Sequence, residues 1–336
     1  MGPCSGAVYR TEQRAIWGFE TMADELATAG WSADALGAAR TLRAITRSLR
    51  PHQWVKNSLI FGGLIFSRSL LHWEVVWLSI SAFITFCLAS SAVYLLNDLR
   101  DIEADRRHPT KRLRPLAAGE LSPVSAGITM AALLIGSTLA ALSLGWSFSV
   151  VLWTYLVLNV AYSMGLKRVV ILDVMVVATG FVLRAVAGAV VIKVQPSPWL
   201  ILCTLMLALL VVFGKRRHEL SLLEGEARNH RASLDGYSIQ FLDLMMGIAG
   251  ASAVVTYALY TMADETVARF GTRHLVVTTP WVLYGVFRYL YLVHQRMEGG
   301  DPAYLFVTDR PTLVNGLMWV LVVCFILYAP PGWQPW

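Results

Sequence analysis

Asn97, Asp98, Asp101 and Asp105 follow one another at spacings of one, three and four residues. On a helix those spacings place all four on one face, because positions i, i+3 and i+4 are neighbours. Three carboxylates on one stripe repel each other unless they share a cation. An oxygen-only set of this kind suits Mg2+, which keeps several waters and bridges to phosphate oxygens. Asp98, Asp101 and Asp105 are therefore candidate metal ligands. The competing use is a solvated helix end paired with Arg100, Arg106 and Arg107. The next basic residues argue against it: Lys111, Arg112 and Arg114 offer fixed cations beside the acidic face, as sites for diphosphates do.

Two more clusters carry charge in places that need a reason. Tyr162 and Lys167 lie five apart at the end of an apolar run, where an interfacial anchor is the ordinary reading. In Gly214-Lys215-Arg216-Arg217-His218-Glu219, Lys215 and Glu219 are i,i+4, a pair that a helix surface can make for itself. Arg184 falls inside an apolar run, where a lone guanidinium is destabilising by several kcal/mol. It should face a cavity or pair with Asp173 or another carboxylate, and Arg288 poses the same problem. The four cysteines form no disulfide framework or metal knuckle, and no Ser/His/Asp or Cys/His set is evident.

The elements that must position these residues belong to a membrane. Of 336 residues, 56% are hydrophobic and only 15% charged, and the mean hydropathy is +0.55, which leaves too little charge for a water-facing surface. Nine apolar stretches, at roughly 55–71, 75–97, 124–145, 147–163, 169–192, 199–214, 239–260, 275–293 and 313–331, predict an all-α polytopic protein of about nine transmembrane helices. Residues 1–45 read as an interfacial or flexible arm and 46–336 as a single transmembrane catalytic domain. The net charge of +6 alone would allow nucleic acid, anionic lipid or a phosphorylated substrate. With a cytoplasmic N-terminus, 22 of the 28 Lys and Arg fall on the inner side, 11 of them in 98–122 and 215–237. That is the positive-inside asymmetry with a surplus concentrated in two loops, so a polyanion site is expected and nucleic acid is not.

The pattern Asn97-Asp98-x-x-Asp101-x-x-x-Asp105, the nine spans and the Tyr162/Lys167 loop resemble the UbiA superfamily of intramembrane prenyltransferases. Similarity is closer to its decaprenyl-phosphate phosphoribosyltransferase branch. It runs through Arg50-Pro51-x-Gln53-Trp54-x-Lys56-Asn57, Ser91-Ala92-Val93-Tyr94 and His108-Pro109-Thr110-Lys111-Arg112-x-Arg114-Pro115. It continues through Gly165-Leu166-Lys167, Leu183-Arg184-Ala185-x-Ala187-Gly188 and Gly214-Lys215-Arg216. Ordinary members carry a second aspartate-rich motif between their sixth and seventh helices. This chain has Lys215, Arg216, Arg217 and His218 there, with Glu219 the one acid, which favours a donor bearing a phosphate besides its diphosphate.

The resemblance implies Mg2+-dependent transfer of 5-phosphoribose from phosphoribosyl diphosphate to a polyprenyl phosphate, with diphosphate released. It implies a multi-pass protein of the bacterial plasma membrane with its active site facing the cytoplasm, and is compatible with a homo-oligomer. Asp98, Asp101 and Asp105 would hold the metal, with Asn97 orienting a ligand or a ribose hydroxyl. Lys111, Arg112 and Arg114 would meet the diphosphate, and Lys215 and Arg216, near Glu219, the 5-phosphate. Lys56, Asn57, Tyr162, Lys167 and Arg184 are candidates for the acceptor phosphate or a shared phosphate cluster. An ionised phosphate brings its own lone pair, so no general base is required. The in-class alternative moves an isoprenoid from a prenyl diphosphate to an aromatic acceptor. A transporter using Arg184, Asp173 and Arg288 as a relay is the alternative outside the class.

Overall fold

The computed structural model describes residues 33–328 apart from Pro109, 223–233, Glu298 and Asp301. Residues 1–32 of the expected arm lie outside the described residues. All regular structure among the described residues is helical. In chain order the α-helices are α1 (Ala33–Leu49), α2 (Phe61–Phe66), α3 (Trp73–Arg100), α4 (Ile102–Arg107), α5 (Pro123–Leu144), α6 (Trp146–Met164) and α7 (Leu172–Val191). They continue with α8 (Pro198–Leu222), α9 (Ile239–Met262), α10 (Asp264–Phe270), α11 (Thr279–Gln295), α12 (Pro302–Thr308) and α13 (Arg310–Tyr328). Eight of the described helices, α3, α5 to α9, α11 and α13, are long and apolar enough to cross a membrane.

The span expected at 55–71 is not among them. It begins as a 3-10 helix, Pro51–Ile60, and ends in the six-residue α2. The reason lies in its packing. A Cβ on Gly63 would meet the backbone of Gly188 in α7, and one on Gly188 would meet the backbone of Ile60, so this stretch lies backbone against backbone where bulkier residues could not fit. Asn57, 1% exposed, is drawn inward by Cys87 and Arg184. The 3-10 rise compensates for the missing length. Ten residues at about 2 Å and six at about 1.5 Å reach roughly 29 Å, close to a hydrocarbon core of about 30 Å.

Packing divides the described residues into two units, 33–51 with 90–135, and 52–89 with 136–328. In the first, Ala44 and Ser48 are buried one turn apart on α1. Ala44, Leu95, Leu116, Leu121 and Ala126 form its core, with Leu49, Leu99 and Ile102 against them. This core fixes the end of α3 and the basic turn after α4. In the second unit α8 packs on α7 and α9, and α6 packs on α7. One core gathers Val174, Leu210, Leu242, Met246 and Val286. Another joins Phe66 to Tyr257, Tyr260, Leu275, Val323 and Leu327.

Candidate active site

Within the first unit, Asp98 sits on the last turns of α3, 2% exposed, and Asp105 on α4, 4% exposed. The helix breaks between them. Asp101 is a bend residue at the N-cap of α4 (φ −102°, ψ 15°), yet Asp101 N–H bonds to Asn97 O at 2.9 Å and Asp105 N–H to Asp101 O at 2.8 Å. The helical sense survives the break, which is why Asp98 and Asp105, seven apart, still share a side.

What they share is a guanidinium. Arg114 Nη1 donates to Asp98 Oδ1 at 3.1 Å and to Asp105 Oδ2 at 2.6 Å. Arg50 Nη2 also donates to Asp98 Oδ1, at 2.5 Å, with its guanidinium 5.1 Å from the centre of the Tyr94 ring. Arg114, expected on a diphosphate, thus bridges two carboxylates instead. Among the described residues no group of three or more Asp, Glu, His or Cys side chains is arranged to hold a metal ion, so the triad implied by the spacing is not preassembled. Burial pushes the Asp105 carboxyl above the ordinary carboxylate range, by more than Arg114 and Lys111 draw it down. The donors of the pair are the hard oxygens that a divalent cation takes. Asn97, Asp101 and Lys111 are half-buried and Arg112 is exposed.

The second unit carries the other candidates in two places. The first is centred on Arg216, near the end of α8 and only 2% exposed. Its Nε donates to Asp173 Oδ2 at 2.8 Å, Nη1 to Glu219 Oε2 at 2.7 Å and Nη2 to the Tyr162 hydroxyl at 3.2 Å. Lys215, 44% exposed at its side chain, lies 4.0 Å from Glu219. The structure thus separates two neighbours expected to act alike. Lys215 reaches outward, whereas Arg216 is spent on two acids and a phenol. Lys167, half-buried, lies in the 3-10 turn Leu166–Arg168 that follows α6.

The second place is Arg184, 5% exposed on α7. It does not pair with Asp173. Eleven residues along one helix separate the two by about 16 Å, and Asp173 belongs to Arg216. Arg184 is held by Asn57 Oδ1 at 2.6 Å, Gly180 O at 2.7 Å and the Tyr155 hydroxyl at 2.9 Å. The rings of Tyr155 and Phe181 lie 4.7 and 5.6 Å away. Arg288 is paired with Asp309 at 3.1 and 2.7 Å. Lys56, beside Asn57, is half-buried.

Sequence reasoning quotes Arg50 without giving it a role, passes over Tyr155 and Tyr237, and offers Asp173 as one of several partners for Arg184. Arg50 precedes Pro51 and takes a left-handed backbone (φ 52°), and a charge abutting a span start is the signal that could have found it. Asp173, an acid at the start of an apolar span, is visible as a partner, but nothing in the sequence points to Arg216 as the arginine it takes. Nothing in the sequence singles out Tyr155 or Tyr237.

Comparison with known proteins gives this geometry its context. A profile of the UbiA prenyltransferase family matches residues 58–309. The chain is 33% identical over 296 residues to a decaprenyl-phosphate phosphoribosyltransferase of Corynebacterium glutamicum, covering 85% of this chain and 87% of that one. It is 33% identical over 293 residues to the decaprenyl-phosphate phosphoribosyltransferase of Mycobacterium tuberculosis, covering 85% and 94%. A UbiA homologue from Archaeoglobus fulgidus, solved with GPP and Mg2+ bound, shares the fold at a TM-score of 0.65 and 17% identity, over 85% of this chain and 100% of that one. A helical bundle of apolar spans, an acid-rich span end and a family match over most of its length lead to one conclusion: the chain belongs to the UbiA prenyltransferase family.

Proposed function

We propose that this membrane transferase moves 5-phosphoribose from phosphoribosyl diphosphate to a polyprenyl phosphate, releasing diphosphate, on the cytoplasmic side of the bacterial plasma membrane. The observation that carries the reading is the character of 214–219. Two relatives named for this transfer cover most of the chain, and at the place where a prenyltransferase would present aspartates this chain presents Lys215 beside the half-buried Glu219, which the buried Arg216 ties to Asp173. An exposed ammonium braced by buried charges suits a phosphate monoester.

In this reading Asp98, Asp105 and Asp101 would hold Mg2+, which would supply Lewis-acid stabilisation to the leaving diphosphate. Arg50 and Arg114 hold the two buried carboxylates in position until the donor arrives. Lys111 and Arg112 neutralise charge that develops on the diphosphate, and Lys215 holds the 5-phosphate. Arg216 braces Glu219 and Tyr162. Lys56, Tyr162 and Lys167 receive the acceptor phosphate, whose ionised oxygen attacks the anomeric carbon. Arg184 and Asn57, buried in each other's company, shape the segment that bears Lys56.

The test is a radiolabel assay on purified protein with Mg2+. Labelled phosphoribosyl diphosphate with polyprenyl phosphate should give a lipid-soluble product, and a labelled prenyl diphosphate with an aromatic acid should give none. The opposite pattern would replace this reading with prenyl transfer. Lys215→Ala should raise the KM for phosphoribosyl diphosphate more than that for the lipid, and equal effects would remove Lys215 from the donor.

A further inference from the structure

Asp173 and Tyr237 are buried, at 0% and 6% exposure, and take no part in the proposed transfer step. Their bonds form a chain that joins separate parts of the second unit. Ile171 N–H donates to the Tyr237 hydroxyl at 2.7 Å. That hydroxyl donates to Asp173 Oδ1 at 2.7 Å, and the other oxygen of Asp173 accepts from Arg216 Nε at 2.8 Å. Arg216 passes the connection to Glu219 and the Tyr162 hydroxyl.

Two features make this more than core packing. Ile171 has φ +70°, a left-handed backbone that a β-branched residue adopts only when its surroundings enforce it, at about 1–3 kcal/mol. Two contacts enforce it: the Tyr237 hydroxyl takes the Ile171 amide, and Gly236 lies against Val170 so closely that a Cβ there would strike it. The strained residue also lies only four positions after Lys167, so the turn that carries Lys167 has its exit fixed by Tyr237. Burial, and then the hydrogen bond to Asp173, push the Tyr237 phenol upward, so it stays a donor throughout the working pH range.

We propose that Asp173 and Tyr237 are positioning residues for the phosphate-binding machinery: one buried phenol–carboxylate pair sets both the Lys167 turn and, through Arg216, the Tyr162 hydroxyl and Glu219. The inference rests on the proposed phosphate-transfer reading for its consequence in catalysis, but the mechanical coupling stands without it.

Two measurements on the full chain in nanodiscs keep these apart. In hydrogen exchange, Tyr237→Phe should deprotect 165–171, and Asp173→Asn, which keeps the shape but removes the charge, should do the same with Tyr237 intact. Unchanged protection in both variants overturns the proposal. In steady-state transfer, Asp173→Asn should lower kcat by about 10²-fold, the scale of a misplacement near 1 Å, with a smaller change in KM. In a Tyr162→Phe background the same substitution should have little further effect, because residues acting as one unit are non-additive. Full additivity would mean that Asp173 merely stabilises the fold, and would overturn the positioning role. If Asp173→Asn does not fold, Tyr237→Phe carries both measurements. Coupled exchange in a wild-type protein that transfers no phosphoribose would uphold the network and reject the donor assignment.

Discussion

Arg114 stands between Asp98 and Asp105 as the counter-charge that lets two buried acids lie on one side. Replacing it with methionine removes the hydrogen-bonded cation from Asp105 and leaves Asp98 with Arg50, and the loss of one member of a buried pair is destabilising by about 3–5 kcal/mol. The thermal midpoint of Arg114→Met in detergent should fall steeply, and Asp105→Asn in the same chain should restore part of it. An unshifted midpoint would contradict the bridge. The raised Asp105 carboxyl also fixes a sign. The folded chain binds that proton more tightly than the unfolded chain, so Asp105 favours folding at low pH and loses that contribution as the pH rises from the ordinary carboxylate value through its folded pKa. In the proposed reading a divalent cation would compete with the same proton. Magnesium dependence should therefore steepen on acidification at a pH above the usual carboxylate range, and Asp105→Asn should remove that dependence. At this scale residue types and spacings were legible in the sequence, but partners were not. Asp98, Asp101 and Asp105 announce themselves by periodicity, whereas Asp173 choosing Arg216 over Arg184 depends on which helices lie side by side.

Among the elements, the glycines show where a helix can be recognised and where its path is decided by its neighbours. The long apolar spans were legible because hydrocarbon allows little else. The stretch 55–71 read as one more span because its composition does not reveal that Gly63 and Gly188 will meet. Gly188→Ala should be destabilising by about 1–3 kcal/mol or more, because the added methyl meets backbone that cannot move aside. Gly127→Ala, with nothing within 4 Å of the new carbon, should be neutral or stabilising by up to about 1 kcal/mol, and equal effects of the two would refute the close approach. Asp309 does similar work at the start of α13. Its carboxylate takes the Thr312 amide at 3.0 Å and Arg288 at 3.1 and 2.7 Å, and Arg288 foremost draws it down to about 2. Asp309→Ala should lower stability by about 1–2 kcal/mol, as loss of a helix cap does. Because the folded pKa is depressed, the difference should be full above about pH 4 and vanish as the pH falls through about 2.

Across the whole molecule, the fold class was legible from the long apolar spans, and the division into two packing units was not, since two of its three boundaries fall inside α3 and α5. The charge asymmetry predicts an inner N-terminus and an outer C-terminus. Reporter fusions at the two ends should respond oppositely, and like signals would reverse the assignment of one end. The stretch 51–66 must then cross, as its reach of roughly 29 Å permits. Arg184 has a consequence at the same scale. It lies near the middle of α7 with an amide, a carbonyl, a phenol and two rings around it, and no carboxylate among the described residues reaches it. A fixed positive charge left unneutralised in an apolar bundle raises the energy of any proton or metal cation passing near it, as cationic barriers do in pores that must exclude protons. In the proposed reading this barrier would keep the membrane electrically sealed during transfer, and vesicles bearing Arg184→Met should lose an imposed pH gradient faster than those bearing the wild type.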